Sequence, residues 1–192
     1  MQQPLQHPNI RRLQKPNEEW RLVQDLCLIN EAVVPIHPMV PNPFTLLTQI
    51  PEGTKWFTVL DLKDAFFYMP LLPDSQYLFA FKDPSNQTTQ ITWMVLPQGF
   101  QDSPHLFGQA FSKYLSEFLY PHVKVLQYVD DILLCAPTEE ISPEEDSKAL
   151  LNFLANRGYK VSKSKAQLCQ TSVKYLGLIL SEGTRALCSE RI

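Results

Sequence analysis

What this chain lacks narrows its class before any residue is singled out. No apolar run approaches the roughly 18 residues that a membrane-spanning helix needs. The start, MQQPLQHPNIRR, has no apolar core of the kind a secretory signal carries. An intracellular, cytoplasmic protein with no membrane segment is the expectation. The four cysteines, Cys27, Cys135, Cys169 and Cys188, include no CxxC pair, which argues against a zinc ribbon or finger and leaves the thiols as small core hydrophobes. Internal repeats and low-complexity tracts are absent. So is a basic surplus: 17 Lys and Arg stand against 20 Asp and Glu, a formal net charge of −3, whereas nucleic-acid binders usually carry a basic footprint.

The distribution of charge weakens that last objection. Residues 139 to 146, EEISPEED, hold five of the acids and no base, leaving 15 acids against 17 bases elsewhere. Arg11, Arg12, Lys15 and Arg21 gather near the start and Lys160, Lys163, Lys165 and Lys174 near the end. Basic clusters on either side of an acidic centre suit a polyanion held around a metal, although solvated surface lysines would look the same. With 44% hydrophobic and 19% charged residues the 192-residue chain has ordinary globular composition, enough for one domain of up to two lobes. Its 16 prolines are in excess of the usual share of about 5% and imply many extended connections.

Periodicity gives a coarse set of elements. Residues 1 to 43 read as irregular with a few short elements, and prolines forbid a helix through 35 to 43. Phe44–Ile50 suits a short helix, Trp56–Leu60 a buried strand ending at Asp61, and Tyr77–Phe81 and Thr89–Leu96 two further strands. A helix begins at Ser103 and Pro104, its apolar face running from Leu106 to Phe118. Val123–Tyr128 and Ile132–Leu134 read as strands, followed by a helix with a capping box at Ser142 and Glu145 that stops at Gly158. Val173–Leu180, which contains Gly177, reads as a strand or hairpin. This order describes an α+β domain with an antiparallel sheet backed by helices, without the alternation a parallel sheet requires.

Two stretches carry chemistry. In LQYVDDILL, Asp130 and Asp131 are adjacent, with apolar strand residues on both sides. A tight hairpin from a core sheet would project both carboxylates into one small volume, where a divalent cation relieves their repulsion. In VLDLKDAFF, Asp61 ends an apolar strand. If its strand neighbours the hairpin, three carboxylates converge, a set able to hold two metal ions roughly 3.5–4 Å apart for phosphoryl transfer.

The ordered blocks VLDLKDAFF, LPQGFQDSPHLF, QYVDDILL and VKYLGLIL resemble the reverse transcriptase motifs of gammaretrovirus-like Pol polyproteins, and RLVQDLCLINEAVVPIHPMVPNPFTLL resembles the fingers segment of endogenous retroviruses of that class. The likeness runs from about Lys15 to the end. It implies a right-hand polymerase: a palm at about 56–74 and 101–192, with partial fingers at about 1–55 and 75–100. It implies RNA- and DNA-directed DNA synthesis, with two Mg2+ or Mn2+ ions held by Asp61, Asp130 and Asp131 and by the position of Leu62. The resemblance assigns the triphosphate grip to Lys15 and Arg21, sugar and phosphate contacts to Asp64 and Ala65, a gate against the ribose 2′-hydroxyl to Phe66, and a base and sugar contact to Gln98. Tyr128, with Tyr175, Leu176 and Gly177, falls on primer and template positions. The implied partners are a primed RNA or DNA template and deoxynucleoside triphosphates.

Some features depart from that pattern. Cys27 stands where a basic residue is usual, the lead into the fingers looks altered, and the chain stops at Ile192 with no thumb or ribonuclease H segment expected in it. An inactive endogenous remnant that at most binds nucleic acid, or a fragment of a polyprotein that also carries ribonuclease H, is therefore the alternative reading. Oligomeric state is open.

Overall fold

The computed structural model describes residues 10–14, 20–36, 42–83, 85–86, 88–136 and 143–188. In chain order the elements are β1 (Ile10–Gln14), β2 (Trp20–Gln24), α1 (Cys27–Ala32), α2 (Pro43–Leu47), β3 (Trp56–Asp61), a 3-10 turn (Ala65–Tyr68) and α3 (Pro73–Gln76). A second 3-10 turn (Tyr77–Phe79), β4 (Phe81–Lys82), β5 (Gln90–Ile91), α4 (Ser103–Leu115), β6 (Lys124–Tyr128), β7 (Asp131–Ala136) and α5 (Pro143–Asn156) follow. The last four are β8 (Gln167–Gln170), β9 (Ser172–Tyr175), β10 (Leu178–Ser181) and β11 (Thr184–Leu187). The chain divides into two compact units, Met1–Pro38 with Phe66–Leu106, and Met39–Ala65 with Phe107–Ile192.

In the first unit β1 and β2 form an antiparallel hairpin. Leu26, Ile29 and Phe79 make its core, with Val33, Leu71, Leu78, Trp93 and Phe100 packed against them. The buried amide of Gln24 is satisfied at both ends: Nε2 donates to the Phe79 carbonyl and Oε1 accepts from Trp93 Nε1, as a polar group removed from water must be. Two expected strands are corrected here. Pro73, preset for a first helical position, starts α3, and the following 3-10 turn carries the chain past Tyr77, leaving only Phe81–Lys82 extended. Of Thr89–Leu96 only Gln90–Ile91 pairs as a strand, while Val95 makes a lone bridge with Pro70.

The second unit is built on a four-stranded antiparallel sheet of order β6-β7-β3-β8. Trp56–Asp61 is a strand because it strings aromatic and β-branched residues together, and both its faces are covered. By the alternation of strand side chains, Phe57 and Val59 share one face with Leu133 and Cys135. That face packs on Leu126, on Leu46 and Leu47 of α2, and on Val173, Tyr175, Leu178 and Leu180 from β9 and β10. Thr58 and Leu60 point to the other face, with Ile132 and Leu134. Ile132, Leu133, Leu134 and Cys135 are at most 1% exposed, so β7 reads as an unbroken apolar run, the mark of a doubly covered strand.

A polar chain crosses this core. β8 slips its register against β3 between Phe57 and Val59, and Cys169 takes a left-handed φ of 48° there. Its N–H donates to Thr58 Oγ1 at 3.0 Å; Thr58 Oγ1 and Ser147 Oγ of α5 share a 2.7 Å bond, and Ser147 Oγ donates to the Pro143 carbonyl. One hydroxyl on β3 thus serves the irregular strand on one side and the helix on the other. α5 begins at Pro143 with Glu144, Glu145 and Asp146 in its first turn, where acids favour the helix dipole; Ser142 lies outside the described residues. The helix stops at Gly158, whose φ of 79° suits a residue without Cβ. α4 ends at Leu115, one turn before the expected Phe118. β9 and β10 form the expected hairpin, turning at Leu176 and Gly177, both at positive φ. Among the described residues no helix is long and apolar enough to cross a membrane.

Thr58→Val keeps the shape of the side chain and removes its hydroxyl, leaving the half-buried Cys169 N–H without its acceptor. We expect a loss of about 1–3 kcal/mol of folding stability, read from denaturant unfolding at unchanged slope.

Candidate active site

The apolar residues of β3 end at Asp61, those of β7 begin after Asp131, and the two strands pair antiparallel with Asp61 directly opposite Asp131. Both acids stand on the face that carries Val59 and Leu133, at the edge of the core. Asp130 precedes Asp131 in the turn between β6 and β7, where Tyr128 pairs with Asp131 and only Val129 and Asp130 lie between. The Asp130 carbonyl accepts from the Leu62 N–H at 3.0 Å, tying the hairpin tip to the strand that bears Asp61. Register thus sets Asp61 opposite Asp131, with Asp130 next to it in the turn.

The turn is strained. Val129 has φ of 54°, unfavourable for a β-branched residue by about 1–3 kcal/mol. Gln127 holds it: its Nε2 donates to the Val129 carbonyl at 3.0 Å and to the Gly108 carbonyl of α4 at 3.1 Å. A neighbouring helix therefore stabilises the conformation that aims the acids.

Electrostatics at the tip are unfavourable to three ionised carboxylates. Burial, then the Asp130 and Asp61 charges, push the Asp131 carboxyl up to about 6, with Lys165 opposing. Burial raises Asp130 as well, and the Asp61 charge adds to it. Lys165 Nζ donates to Asp61 Oδ2 at 2.8 Å. The donor set fits a hard divalent cation: oxygen ligands and half-buried negative charge short of compensation. As the side chains stand, however, no group of three or more His, Cys, Asp or Glu among the described residues is arranged to hold an ion; Asp61 is engaged by the lysine instead.

The other expected site residues fall as follows. Leu62 is 2% exposed, so only its main chain could reach an ion. Asp64 is half-buried at a φ of 54°, and Ala65 is buried. Tyr128 is half-buried against the core. Tyr175 is 2% exposed, its ring in the core and its hydroxyl without a hydrogen-bond partner among the described residues; burial, then the Asp131 charge, raises that hydroxyl. Leu176 and Gly177, half-buried, form the turn of its hairpin. These residues belong to the second unit. In the first, Arg21 lies in β2, Phe66 in the 3-10 turn after Ala65, and Gln98, half-buried, before Gly99. Lys15 lies outside the described residues. Two participants escape sequence reasoning. Lys165 is visible there only as one of a basic cluster, and Gln127 only as a polar interruption of a strand.

The fold matches solved viral polymerases. The foamy viral protease-reverse transcriptase in complex with RNA/DNA hybrid is similar at TM-score 0.77 and 30% identity, over 98% of this chain and 24% of that one. Its complex with double-stranded DNA gives TM-score 0.79 and 30% identity, over 98% and 32%. The α+β architecture is thus that of part of a retroviral reverse transcriptase.

Residues 13–180 match the family described as reverse transcriptase (RNA-dependent DNA polymerase), and the chain belongs to that family. It is 51% identical to the Gag-Pol polyprotein of baboon endogenous virus (strain M7) over 94% of its length, and 50% identical to the Pol polyprotein of feline endogenous virus ECE1 over 94%. It spans 11% and 18% of those relatives.

The raised Asp131 carboxyl has a consequence for stability. A group with folded pKa about 6 and an unfolded value of about 4 favours the fold when protonated, and that contribution is lost as pH rises through the window between them. Asp131→Asn should raise the melting temperature of the cation-free chain above about pH 6. It should also flatten the fall in stability between about pH 4 and 6. Thermal melts across pH in a chelator check both.

Proposed function

We propose that the chain is the polymerase segment of a reverse transcriptase, adding deoxynucleotides to a primer 3′-hydroxyl on an RNA or DNA template. The observation that carries this is the cross-strand pairing of Asp61 with Asp131 beside Asp130. Three carboxylates at one sheet end suit two divalent cations, Mg2+ or Mn2+, which when bound would neutralise phosphate charge and hold the attacking and leaving oxygens. The residues themselves mainly position: phosphoryl transfer asks a protein for alignment and charge, with little covalent chemistry. Asp61, Asp130 and Asp131 set the place of the reaction, with the Leu62 main chain beside them.

Roles for the remaining positions follow from their chemistry and from family likeness. Lys15, as a flexible point charge, and Arg21, as a planar fork, suit triphosphate oxygens. Asp64 and Ala65 would line the sugar and phosphate, and Gln98 the base. A Phe66 ring against the sugar would deny room and hydrogen-bond partners to a ribose 2′-hydroxyl. Because the Tyr175 ring is committed to the core, contact with the primer end falls to the main chain of Leu176 and Gly177, with Tyr128 beside the acids. Fingers at about 1–55 and 75–100 and a palm at about 56–74 and 101–192 remain the proposed division. The solved relatives in complex with RNA/DNA hybrid and with double-stranded DNA support a nucleic-acid partner.

Primer extension on RNA and DNA templates, in Mg2+ and in Mn2+, tests this reading. Asp130→Asn should lower extension at least about 100-fold, while primer–template affinity changes little. Absence of extension in both ions, with unimpaired template binding, would leave only the nucleic-acid-binding remnant. Phe66→Val should raise ribonucleotide incorporation relative to deoxynucleotide by about tenfold or more, as removal of a steric and desolvation barrier worth at least about 1.4 kcal/mol predicts.

A further inference from the structure

Lys165 is held in place from both sides by main chain. Lys63 N–H donates to the Lys160 carbonyl at 2.7 Å, Leu62 bridges to Val161, and the Ser162 N–H donates to the Asp61 carbonyl at 2.8 Å. The chain then turns, closed by the Lys165 and Ala166 N–H groups on the Ser162 carbonyl at 3.2 and 3.0 Å. It enters β8, where Gln167 pairs with Val59. The strand that ends in Asp61 therefore also anchors the loop that presents Lys165, and the ammonium lies 2.8 Å from Asp61 Oδ2. The Asp130 and Asp131 charges act on the same ammonium.

Resting on the polymerase reading, we propose that Lys165 is a built-in counter-ion: it fills the cation place of the metal-free acid cluster and must release Asp61 before a divalent ion can be ligated. The geometry supports this: the Asp61 carboxylate is bonded to the Lys165 ammonium, and the Asp130 and Asp131 charges act on that ammonium as well. Lysine suits the task. Its charge is compact, its stem flexible, and its side chain 65% exposed while that of Asp61 is 19% exposed, so the ammonium can swing into water as an incoming cation takes over the Asp61 charge. The exchange replaces one positive charge with two, which strengthens the attraction to all three acids. Lys165 is thereby a positioning residue: it keeps the hairpin tip and β3 together in the empty site and sets the cation concentration at which the site fills.

The test is binding of Mn2+, read as loss of the free-ion paramagnetic resonance signal, at low salt and fixed pH. It compares the chain with Lys165→Met, Lys165→Arg and, as reference, Asp61→Asn. Melting temperatures in a chelator and in Mn2+ are read in parallel. Lys165→Met should bind Mn2+ roughly twofold to fivefold more tightly, the competition expected of a half-exposed ion pair. It should also melt lower in chelator and gain more from Mn2+. Lys165→Arg should stay close to the parent on both readouts. If Lys165→Met binds Mn2+ no more tightly than the parent while Asp61→Asn loses binding, the counter-ion inference is overturned and the polymerase reading stands. If Asp61→Asn, the parent and Lys165→Met all bind Mn2+ alike, both are overturned.

Discussion

The structure depends on the register of one pair of strands. β3 and β7 are buried on both faces, so a slip of one residue between them would exchange the core face of each for the other. Phe57 and Val59 could no longer meet Leu133 and Cys135, and the Thr58 hydroxyl would leave Ser147 and Cys169. The same constraint sets Asp61 opposite Asp131. Apolar packing over the length of the strands thus decides where charge is placed at their end, and the acids inherit a precision they could not enforce by themselves, since alone they repel.

The acidic end of the sheet is locally destabilising. A β-branched residue at positive φ, two carboxyls raised by burial and by neighbouring carboxylate charge, and a tyrosine hydroxyl buried without a partner among the described residues all lie at or near one sheet end. Such strain persists only where surroundings over-determine it. Gln127 supplies that by bridging the turn to α4, and Lys165 by offsetting the charge of Asp61. Both contacts come from elements packed around the hairpin, which explains why a two-residue turn carries unfavourable geometry without relaxing.

Family membership and geometry account for different properties of the chain. Similarity to the polyproteins of endogenous viruses says what kind of chain this is, over a small share of their length. It does not say why Asp61 stands beside an adjacent pair of acids far along the chain. Strand pairing does. It also separates groups that sequence likeness lumps together: Tyr175 belongs to the core through its ring, while Leu176 and Gly177 are the turn beside it.

Much was legible from the residues alone where local physics dominates. The strand closing at Asp61, the tight hairpin at Asp130 and Asp131, the helix from Ser103, the glycine stop at Gly158 and the turn at Gly177 all follow from side-chain shape, periodicity and backbone freedom within a few positions. Short elements misled. Pro73 nucleates a helical turn that overrides the aromatic character of Tyr77–Phe81, and a two-residue strand has no periodicity to detect. What only the tertiary structure decided is which strands are neighbours, the service of Thr58 to both β8 and α5, the bridge of Gln127 to α4, and the ammonium on Asp61. Each joins residues whose separation along the chain carries no local signal, because a hydrogen bond or ion pair depends on where the fold brings its two ends and leaves no pattern around either one.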